Sequence, residues 1–249
     1  MKVYLYDLEV APSMGHFYDM FREGNIIAVE RNWYILSFSI KELGTGKVQT
    51  FALPDFKGYK KNKEDDELLV RKLWEFFDAA DILIAHNGDN FDRKKANARF
   101  IHHRLAPPSP YKTIDTLKVA RQHFKFDSNR LDALARSLGL GAKLPTTGFD
   151  TWKGCMLGDT KAWALMKRYN AQDVVLLERV YLALRPWMTN HPNVNLDTRK
   201  DGCPKCGSPR LVKEGHRYTM TGYVQKYSCL DCFGWCAGKP EKLERLTIK

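Results

Sequence analysis

The segment KVYLYDLEV at residues 2–10 decides the fold that we expect for this chain. Apolar residues occupy both of its alternating faces, as in a strand that is covered on two sides at the centre of a sheet. Asp7 and Glu9 continue the face begun by Val3 and Leu5, although that face should be buried. Ionised carboxylates are unfavourable there unless a cation or hydrogen bonds compensate for them. A strand end that emerges into solvent is the ordinary alternative.

Strands and helices alternate along the following 175 residues or so, by the periodicity of their apolar residues. Further strands are predicted at NWYILSFSIKE, KVQTFALP, DILIAHN and KTIDT, the first two as a hairpin around the glycines at 44–46. Helices are predicted at ELLVRKLWEFFDAA, FDRKKANARFIHHRL, TLKVARQHF and NRLDALARSLG, and a loop at 139–158 leads to a long helix over 159–185. This order predicts an α/β domain with a mixed β-sheet flanked by helices.

Two further acidic residues lie in unexpected places. Asp173 lies within an apolar stripe of the long helix, at the three- to four-residue spacing shared by Met166, Tyr169, Leu177, Val180 and Leu184. Asp92 begins a helix directly after the buried strand DILIAHN, and α/β sheets form their functional crevice beyond such strand ends. An acid in a first helical turn is also favoured by the helix dipole alone. A cluster of carboxylates suits Mg²⁺ or Mn²⁺, and pairs of these ions serve phosphodiester hydrolysis.

Three motifs carry a resemblance to a known family. YDLEV at 6–10, AHNGDNFD at 85–92 and YNAQD at 169–173 resemble the exonuclease motifs of the DnaQ-like 3′–5′ exonucleases in the ribonuclease H-like superfamily. IDTLKVAR at 114–121 and LDALARSLGL at 131–140 belong to the same resemblance, which covers residues 1–187. Because the third motif has the form Tyr-x-x-x-Asp, the chain is similar to the DEDDy subgroup.

The resemblance implies a catalytic set made of Asp7, Glu9, Asp92, Tyr169 and Asp173. It implies that the four carboxylates bind two Mg²⁺ or Mn²⁺ ions. Asp7 would bridge both ions, Glu9 and Asp173 would complete the site of the nucleophilic water, and Asp92 would serve the second ion, directly or through water. Tyr169 would orient the attacking water, because a phenol with an ordinary pKa near 10 is a poor base.

The resemblance also implies contacts with the terminal nucleotide of the substrate from Leu8, Val10, Asn87 and Phe91. Many relatives have threonines after the first-motif glutamate, whereas this chain has VAP at 10–12, so hydroxyl contacts are lost there. Asp89 lies in the second-motif turn but does not match a catalytic position. Trp152, in the loop before the third motif, is a candidate for approaching the substrate.

Two CxxC pairs occur near the C-terminus, CPKC at 203–206 and CLDC at 229–232. This spacing predicts one structural Zn²⁺ bound by Cys203, Cys206, Cys229 and Cys232. An iron–sulfur site or reactive thiols are the alternatives, and Cys236 is expected to be spare. The residues between the pairs alternate like strands, so we predict a zinc ribbon at 201–249, joined by a linker at 188–200 to a nuclease domain at 1–187.

The composition points to a polyanionic partner. The chain has 40 Lys and Arg residues against 29 Asp and Glu, which gives a formal charge of +11. Within the predicted ribbon, basic residues are mixed with Tyr218, Tyr223, Tyr227 and Trp235, as suits stacking and phosphate pairing with a single strand. The alternatives are that these aromatic residues form the core of the ribbon, or that the ribbon docks a replication or repair protein.

The chain contains no run of about 18 apolar residues and has an acidic residue by position 7, so neither a membrane span nor a signal peptide is expected. Paired cysteines without a secretory signal fit a reducing, cytoplasmic compartment. We therefore expect a 3′–5′ exonuclease that releases nucleoside monophosphates from single-stranded DNA ends. The same chemistry on RNA, an endonuclease of the superfamily and a non-catalytic nucleic-acid-binding protein are the alternatives.

Overall fold

The computed structural model describes residues 1–18, 26–196 and 201–242, with the backbone alone at 240–242. The strands in these residues are β1 (Val3–Val10), β2 (Met14–His16), β3 (Ala28–Arg31), β4 (Ile35–Glu42), β5 (Gln49–Ala52), β6 (Ile82–Ala85), β7 (Lys112–Asp115), β8 (Leu211–Thr219), β9 (Gly222–Cys229) and β10 (Trp235–Lys242). The α-helices are α1 (Glu67–Asp78), α2 (Asp92–His102), α3 (Thr116–His123), α4 (Leu131–Ser137), α5 (Phe149–Leu157) and α6 (Thr160–Leu184). Short 3₁₀ helices occur at Leu53–Asp55 and Arg185–Trp187.

β1 lies at the centre of a five-stranded sheet with the order β5-β4-β1-β6-β7. It pairs antiparallel with β4 and parallel with β6, and β7 is parallel to β6. β4 and β5 form the predicted antiparallel hairpin. The prediction of a mixed sheet flanked by helices is therefore confirmed.

The side chains of β1 alternate between two apolar cores, one on each face of the sheet. Tyr6 and Leu8 enter the core that also contains residues of α1 and α2. Leu5 enters the opposite core, which contains residues of α3, α4 and α6. Because successive residues of a strand point to opposite faces, Asp7 and Glu9 follow Leu5 towards α6. The alternation of side chains along β1 thus places the carboxylates of Asp7 and Glu9 on the side of the sheet that α6 covers.

The long helix that the apolar periodicity predicts is confirmed as α6. Asp159 caps its first turn, because the Asp159 side chain accepts a hydrogen bond of 2.9 Å from the Lys161 N–H. Asp173 is buried among apolar residues of the helix. Within the described ranges, every helix is too short or too polar to cross a membrane.

Two parts of the sequence prediction are wrong. The loop predicted at 139–158 contains α5, whose buried residues are Thr151 and Cys155. Gly154 allows α5 to lie close to α6, because a Cβ at this position would be 2.6 Å from the Cβ of Ala162. The prediction also lacks β2 and β3, which pair with each other. All of their residues are exposed, so burial leaves no apolar pattern there to detect.

β8, β9 and β10 form a separate three-stranded antiparallel sheet. The strand-like alternation predicted between the two cysteine pairs is confirmed by β8 and β9. The ammonium of Lys205 donates a hydrogen bond to the Pro186 carbonyl, which joins this segment to the 3₁₀ helix after α6. Residues 197–200 of the predicted linker at 188–200 and residues 243–249 of the predicted ribbon at 201–249 lie outside the described residues.

Candidate active site

Three of the predicted catalytic acids come together at the C-terminal half of β1. One carboxylate oxygen from each of Asp7, Glu9 and Asp173 lies within 4.8 Å of the other two. β1 supplies the first two because they lie two residues apart on one face. α6 supplies the third from the apolar face that covers the same side of the sheet. Asp173 is thus brought into one cluster with acids that lie 164 and 166 positions earlier in the chain.

The environment of these acids opposes their ionisation. Burial raises the pKa of Asp7 well above its usual range, and the charges of Glu9, Asp92 and Asp173 raise it further. Burial, followed by the charge of Asp173, raises the pKa of Glu9 to about 8. Burial also raises the pKa of Asp173. Because desolvation and mutual repulsion both favour protonation, bound cations would stabilise the ionised cluster.

Lys143 supplies a positive charge to this cluster, and it has no part in the sequence prediction. Its Nζ atom is 2.5 Å from Oδ2 of Asp173 and 3.1 Å from the Tyr169 hydroxyl oxygen. Burial by itself would lower the pKa of Lys143, but the charges of Asp173 and Tyr169 and the hydrogen bonds to both side chains together raise it. Lys143 lies in the irregular segment after α4, where no periodicity signals that a side chain points inward.

Two further residues, which lie outside the predicted catalytic set, orient the first-motif acids. The Asn170 side-chain amide donates hydrogen bonds to Asp7, at 2.7 Å to Oδ2 and 3.3 Å to the backbone carbonyl. Trp152 lies on α5, and its indole N–H donates to Glu9 Oε2 at 3.2 Å. Trp152 thus contacts a carboxylate of the cluster, and its approach to the substrate stays a prediction. The role of Asn170 could have been detected in the sequence, because it is a polar residue next to Tyr169 on a buried helix.

Tyr169 lies beside the cluster with its hydroxyl group held in place. The hydroxyl accepts a hydrogen bond from Lys143, and the ring contacts Trp152 edge-on with centroids 5.9 Å apart. Burial, followed by the charge of Asp173, raises the pKa of Tyr169 to about 12. The phenol is therefore protonated near neutral pH and can donate or accept hydrogen bonds, but it is a weak base.

Asp92 lies outside the three-carboxylate group, although its charge acts on Asp7. Its Oδ1 atom accepts a hydrogen bond of 3.1 Å from the Leu8 N–H, which joins the start of α2 to β1. Burial raises the pKa of Asp92 to about 7, against the effect of the Leu8 hydrogen bond. Of the predicted acids, the structure thus brings three into one group and places the fourth beside it.

The residues predicted to contact the substrate have different accessibilities. Phe91 is 40% exposed, whereas the side chain of Leu8 is buried, so Leu8 can offer only backbone atoms. Val10 is partly buried against the core. Asn87 adopts a φ of 65°, and its N–H donates to Asp115 Oδ1 at 2.8 Å. The turn that contains Asn87 is thereby fixed to the end of β7.

The donor set of the acidic cluster fits a hard divalent cation. Carboxylate oxygens are the ligands that Mg²⁺ and Mn²⁺ prefer. Within the described residues, Asp173 is 1% exposed and its Oδ1 atom has no hydrogen-bond partner. A buried carboxylate oxygen without a partner is unfavourable, and a metal ion would satisfy it.

A second group of potential metal ligands consists of the four CxxC cysteines. The sulfur atoms of Cys203, Cys206, Cys229 and Cys232 all lie within 4.8 Å of one another. The Sγ atoms of Cys203 and Cys232 are 3.6 Å apart, as are those of Cys206 and Cys229. A tetrahedral Zn²⁺ site with Zn–S distances of about 2.3 Å separates its sulfurs by about 3.8 Å, whereas a disulfide needs about 2.05 Å. The distances between the four sulfur atoms therefore fit a zinc site. Cys236 lies outside this four-cysteine group.

Comparison with known proteins identifies the family. The sequence profile described as RNase_H superfamily matches residues 35–185, which is more than half of the chain. The chain therefore belongs to the RNase_H superfamily.

Two DNA polymerases are similar to parts of this chain. The DNA polymerase III PolC-type of Ureaplasma parvum serovar 3 is 40% identical over 76 residues, which are 30% of this chain and 5% of that protein. The family B DNA polymerase from the hyperthermophilic archaeon Pyrobaculum calidifontis superposes with a TM-score of 0.51 at 13% identity, over 88% of this chain and 31% of that one. At this identity, the second likeness shows the fold alone. Both polymerases are much longer than the part that this chain matches.

Proposed function

We propose that this protein is a metal-dependent 3′–5′ exonuclease that hydrolyses phosphodiester bonds at the 3′ end of single-stranded DNA and releases nucleoside monophosphates. The observation that carries the proposal is the group of Asp7, Glu9 and Asp173, with a buried Asp173 oxygen that lacks a hydrogen-bond partner. The order and form of the three motifs support assignment to the DEDDy subgroup. Similarity to a DNA polymerase III PolC-type supports DNA as the substrate.

Asp7, Glu9, Asp92 and Asp173 would hold the catalytic ions, Asp92 either directly or through a water molecule. When bound, two Mg²⁺ or Mn²⁺ ions would supply an activated water and stabilise the negative charge that develops at the phosphate. Asn170 and Trp152 would keep the Asp7 and Glu9 carboxylates in position through their hydrogen bonds.

Tyr169 would orient the attacking water rather than remove its proton. Its pKa of about 12 keeps the hydroxyl protonated, so the phenol can hold a water molecule by a hydrogen bond. Lys143 would place its positive charge beside the scissile phosphate while it fixes the Tyr169 hydroxyl. These two side chains share the hydrogen bond of 3.1 Å described above.

The terminal nucleotide would lie against the second-motif turn. Phe91 is exposed enough to contact a base or sugar, and Asn87 is held in the turn by Asp115. Leu8 and Val10 would contribute backbone groups, because their side chains pack into or against the core. No hydroxyl side chain is available at residues 10–12 to read the sugar, since these are Val, Ala and Pro.

We propose three parts for the chain, a nuclease domain at 1–187, a linker at 188–200 and a zinc ribbon at 201–249. One structural Zn²⁺ bound by the four cysteines would stabilise the ribbon, because about 50 residues form only a small apolar core. The described ribbon core consists of three cysteines with Cys206 and Leu211 packed against them. This composition supports a metal as the source of its stability.

The nuclease proposal is tested with 20-nucleotide DNA and RNA strands labelled at the 5′ end, incubated with Mg²⁺ or Mn²⁺. We expect a ladder that shortens from the 3′ end of single-stranded DNA, and loss of cleavage by at least about a hundredfold in Asp173→Asn and Asp92→Asn. Asp89→Asn is the matched control. Asp89 lies in the same turn as Asn87, but pairs with Lys118 at 2.6 Å instead of joining the cluster.

Results of this assay that differ from the expected one would each identify a different function. Faster shortening of RNA than of DNA would identify an exoribonuclease with the same site. Internal cuts would identify an endonuclease. Binding of the labelled strands without cleavage in either metal would identify a non-catalytic nucleic-acid-binding protein and overturn the proposal.

A further inference from the structure

A cleft of about 560 Å³ lies between the segment after α6 and the C-terminal three-stranded sheet. Residues 186–191 form one wall, and β8, β9 and β10 form the other. Lys205 crosses between them, because its ammonium donates to the Pro186 carbonyl. The cleft is therefore built by both parts of the chain, with a hydrogen bond between them. We call it the ribbon cleft.

Two indole rings face this cleft from opposite walls. Trp187 is 59% exposed, and Trp235 is 54% exposed. Trp187 is supported by an edge-on contact with Phe124, whose ring centroid is 5.2 Å away. Tryptophan is a large apolar side chain that is usually buried, and exposed aromatic residues are typical of binding surfaces. The alternative interpretation, in which the aromatic residues form the ribbon core, does not hold for the exposed Trp235.

The charged residues in the ribbon cleft are basic. Arg217 projects from β8 and Lys226 from β9, and the lining residues that the structure describes include no Asp or Glu. The Lys226 ammonium is 5.6 Å from the centre of the Trp235 ring. An indole next to an ammonium group can stack a base while the cation pairs with the adjacent phosphate. This charge favours a polyanion over an apolar or basic peptide.

The ribbon cleft does not reach the acidic cluster. A second groove extends from the cleft towards that cluster. Along α6, the stretch from Asp173 to Leu184 covers about 17 Å. A groove of about 470 Å³ shares Met188 and His191 with the ribbon cleft. Its other lining residues include Lys118 and Asp115, and Asp115 contacts the second-motif turn. A strand of about five stacked nucleotides would span 17 Å.

We propose that the ribbon cleft binds single-stranded nucleic acid upstream of the 3′ end, with bases stacked on Trp187 and Trp235 and phosphates paired with Arg217 and Lys226. The inference rests on the proposed nuclease function for the direction of the strand, but the binding itself needs no cleavage. DNA and RNA share the stacking bases and the phosphates that the cleft would recognise.

Binding is measured by fluorescence anisotropy with labelled dT20 and U20, in the Asp173→Asn background so that no strand is degraded. Trp187→Ala and Trp235→Ala should each weaken binding by at least about fivefold, because each removes a stacked base. Trp235→Phe should retain most of the affinity. Arg217→Ala should lower the slope of log affinity against log salt by about 0.7, the value for one phosphate contact with a single strand.

Two exposed residues outside the ribbon cleft serve as matched controls. Phe233→Ala removes an aromatic side chain that is 78% exposed, and Lys213→Ala removes a basic residue from β8. Neither residue lines the cleft, so we expect binding within about twofold of the parent. Unchanged zinc content in every variant would show that the ribbon is intact.

Equal affinity of the tryptophan variants and the controls would overturn the cleft proposal, as would failure of the parent to bind either strand. Binding of a protein partner that is lost in the tryptophan variants, with oligonucleotide affinity unchanged, would identify a protein-docking surface instead. The nuclease proposal is judged separately by cleavage. If oligonucleotide affinity falls in the cleft variants while the unsubstituted chain never cleaves, only the nuclease proposal fails.

Discussion

Lys143 pairs with the Asp173 carboxylate, which is one of the proposed metal ligands. We predict that Lys143→Met tightens Mn²⁺ binding by tenfold or more, because removing a positive charge near 4 Å increases the attraction of the acids for a cation by at least about 1.4 kcal/mol. The same change should slow cleavage by about tenfold or more, because Tyr169 loses its hydrogen-bond donor. Calorimetric titration with Mn²⁺ and the cleavage assay measure the two effects.

Lys167→Met is the control for this prediction. Lys167 lies on α6, the helix that carries Asp173, but it pairs with Asp55 instead of an acid of the cluster. Mn²⁺ affinity and cleavage should both stay within about twofold of the parent. Weaker Mn²⁺ binding in Lys143→Met would show that the ammonium supports the metal site instead of competing with it.

Glu9 makes the stability of the metal-free protein depend on pH. Its pKa is 4.5 in the unfolded chain and about 8 in the fold, so between these values the folded state holds a proton that the unfolded state has released. Stability is therefore lost as the pH rises through about 8. Without Mg²⁺, we expect the Tm to fall by about 4 °C or more between pH 6 and pH 9. Added Mg²⁺ should reverse this loss.

Substitution at Glu9 separates its contribution from general effects of pH. Glu9→Gln cannot ionise, so the fall in Tm between pH 6 and pH 9 should become smaller. Glu67→Gln, on the surface of α1, should leave the fall unchanged. A Tm that rises between pH 6 and pH 9 in the absence of Mg²⁺ would contradict the prediction.

At the scale of secondary-structure elements, Asp66 connects α1, α2 and β4. It is fully buried, and its carboxylate accepts hydrogen bonds from the Ile35 N–H at 2.8 Å and from the Arg99 guanidinium. The His103 ring nitrogen lies 2.7 Å from the same carboxylate. Asp66→Asn should destabilise the fold by about 3 kcal/mol or more, because it leaves the buried Arg99 without a countercharge. Urea denaturation measures this loss.

The neighbouring acid provides the comparison for Asp66. Glu67 forms an exposed ion pair with Arg71 one turn along α1. Glu67→Gln should leave the denaturation midpoint nearly unchanged, because exposed ion pairs contribute little to stability. Equal destabilisation by the two substitutions would show that the connection through Asp66 is not important for the fold.

The elements that the sequence predicted well are those that carry apolar periodicity. β1, β4, β6 and α6 bury one or two faces, and burial is what selects a period of 2 or 3.6 residues. α5 was missed because FDTWKGCML contains two residues of low helix propensity, Thr151 and Gly154, and its helix depends on packing against α6. β2 and β3 have no buried face at all.

At the scale of the whole molecule, the four-cysteine cluster is expected to bind one Zn²⁺ per chain. Cys229→Ser should lose this zinc and unfold β8, β9 and β10, because the described core there consists largely of the metal-binding cysteines. Cys236→Ser is the matched control, since Cys236 lies outside the four-sulfur group. Elemental analysis of freshly purified protein measures the zinc. Loss of zinc from Cys236→Ser, with retention in Cys229→Ser, would contradict the assignment.

Charge is distributed unevenly over the molecule. The formal charge of +11 places +5 on residues 197–249, which are about a fifth of the chain. The acidic cluster repels phosphate until cations bind, whereas the ribbon cleft presents basic side chains beside exposed indoles. The arrangement supports capture of a strand by one part of the molecule and its hydrolysis by the other.

The sequence by itself determined the mixed α/β fold, the acids of the three motifs and the two cysteine pairs. These features depend on local periodicity and on short spacings, which a linear chain displays directly. Only the tertiary structure decided that Asp92 lies beside the three-carboxylate group, and that Lys143, Asn170 and Trp152 contact it. It also brought Trp187 and Trp235 to the same cleft. These contacts join residues far apart in sequence, and the side-chain directions that make them depend on packing, which no local pattern contains.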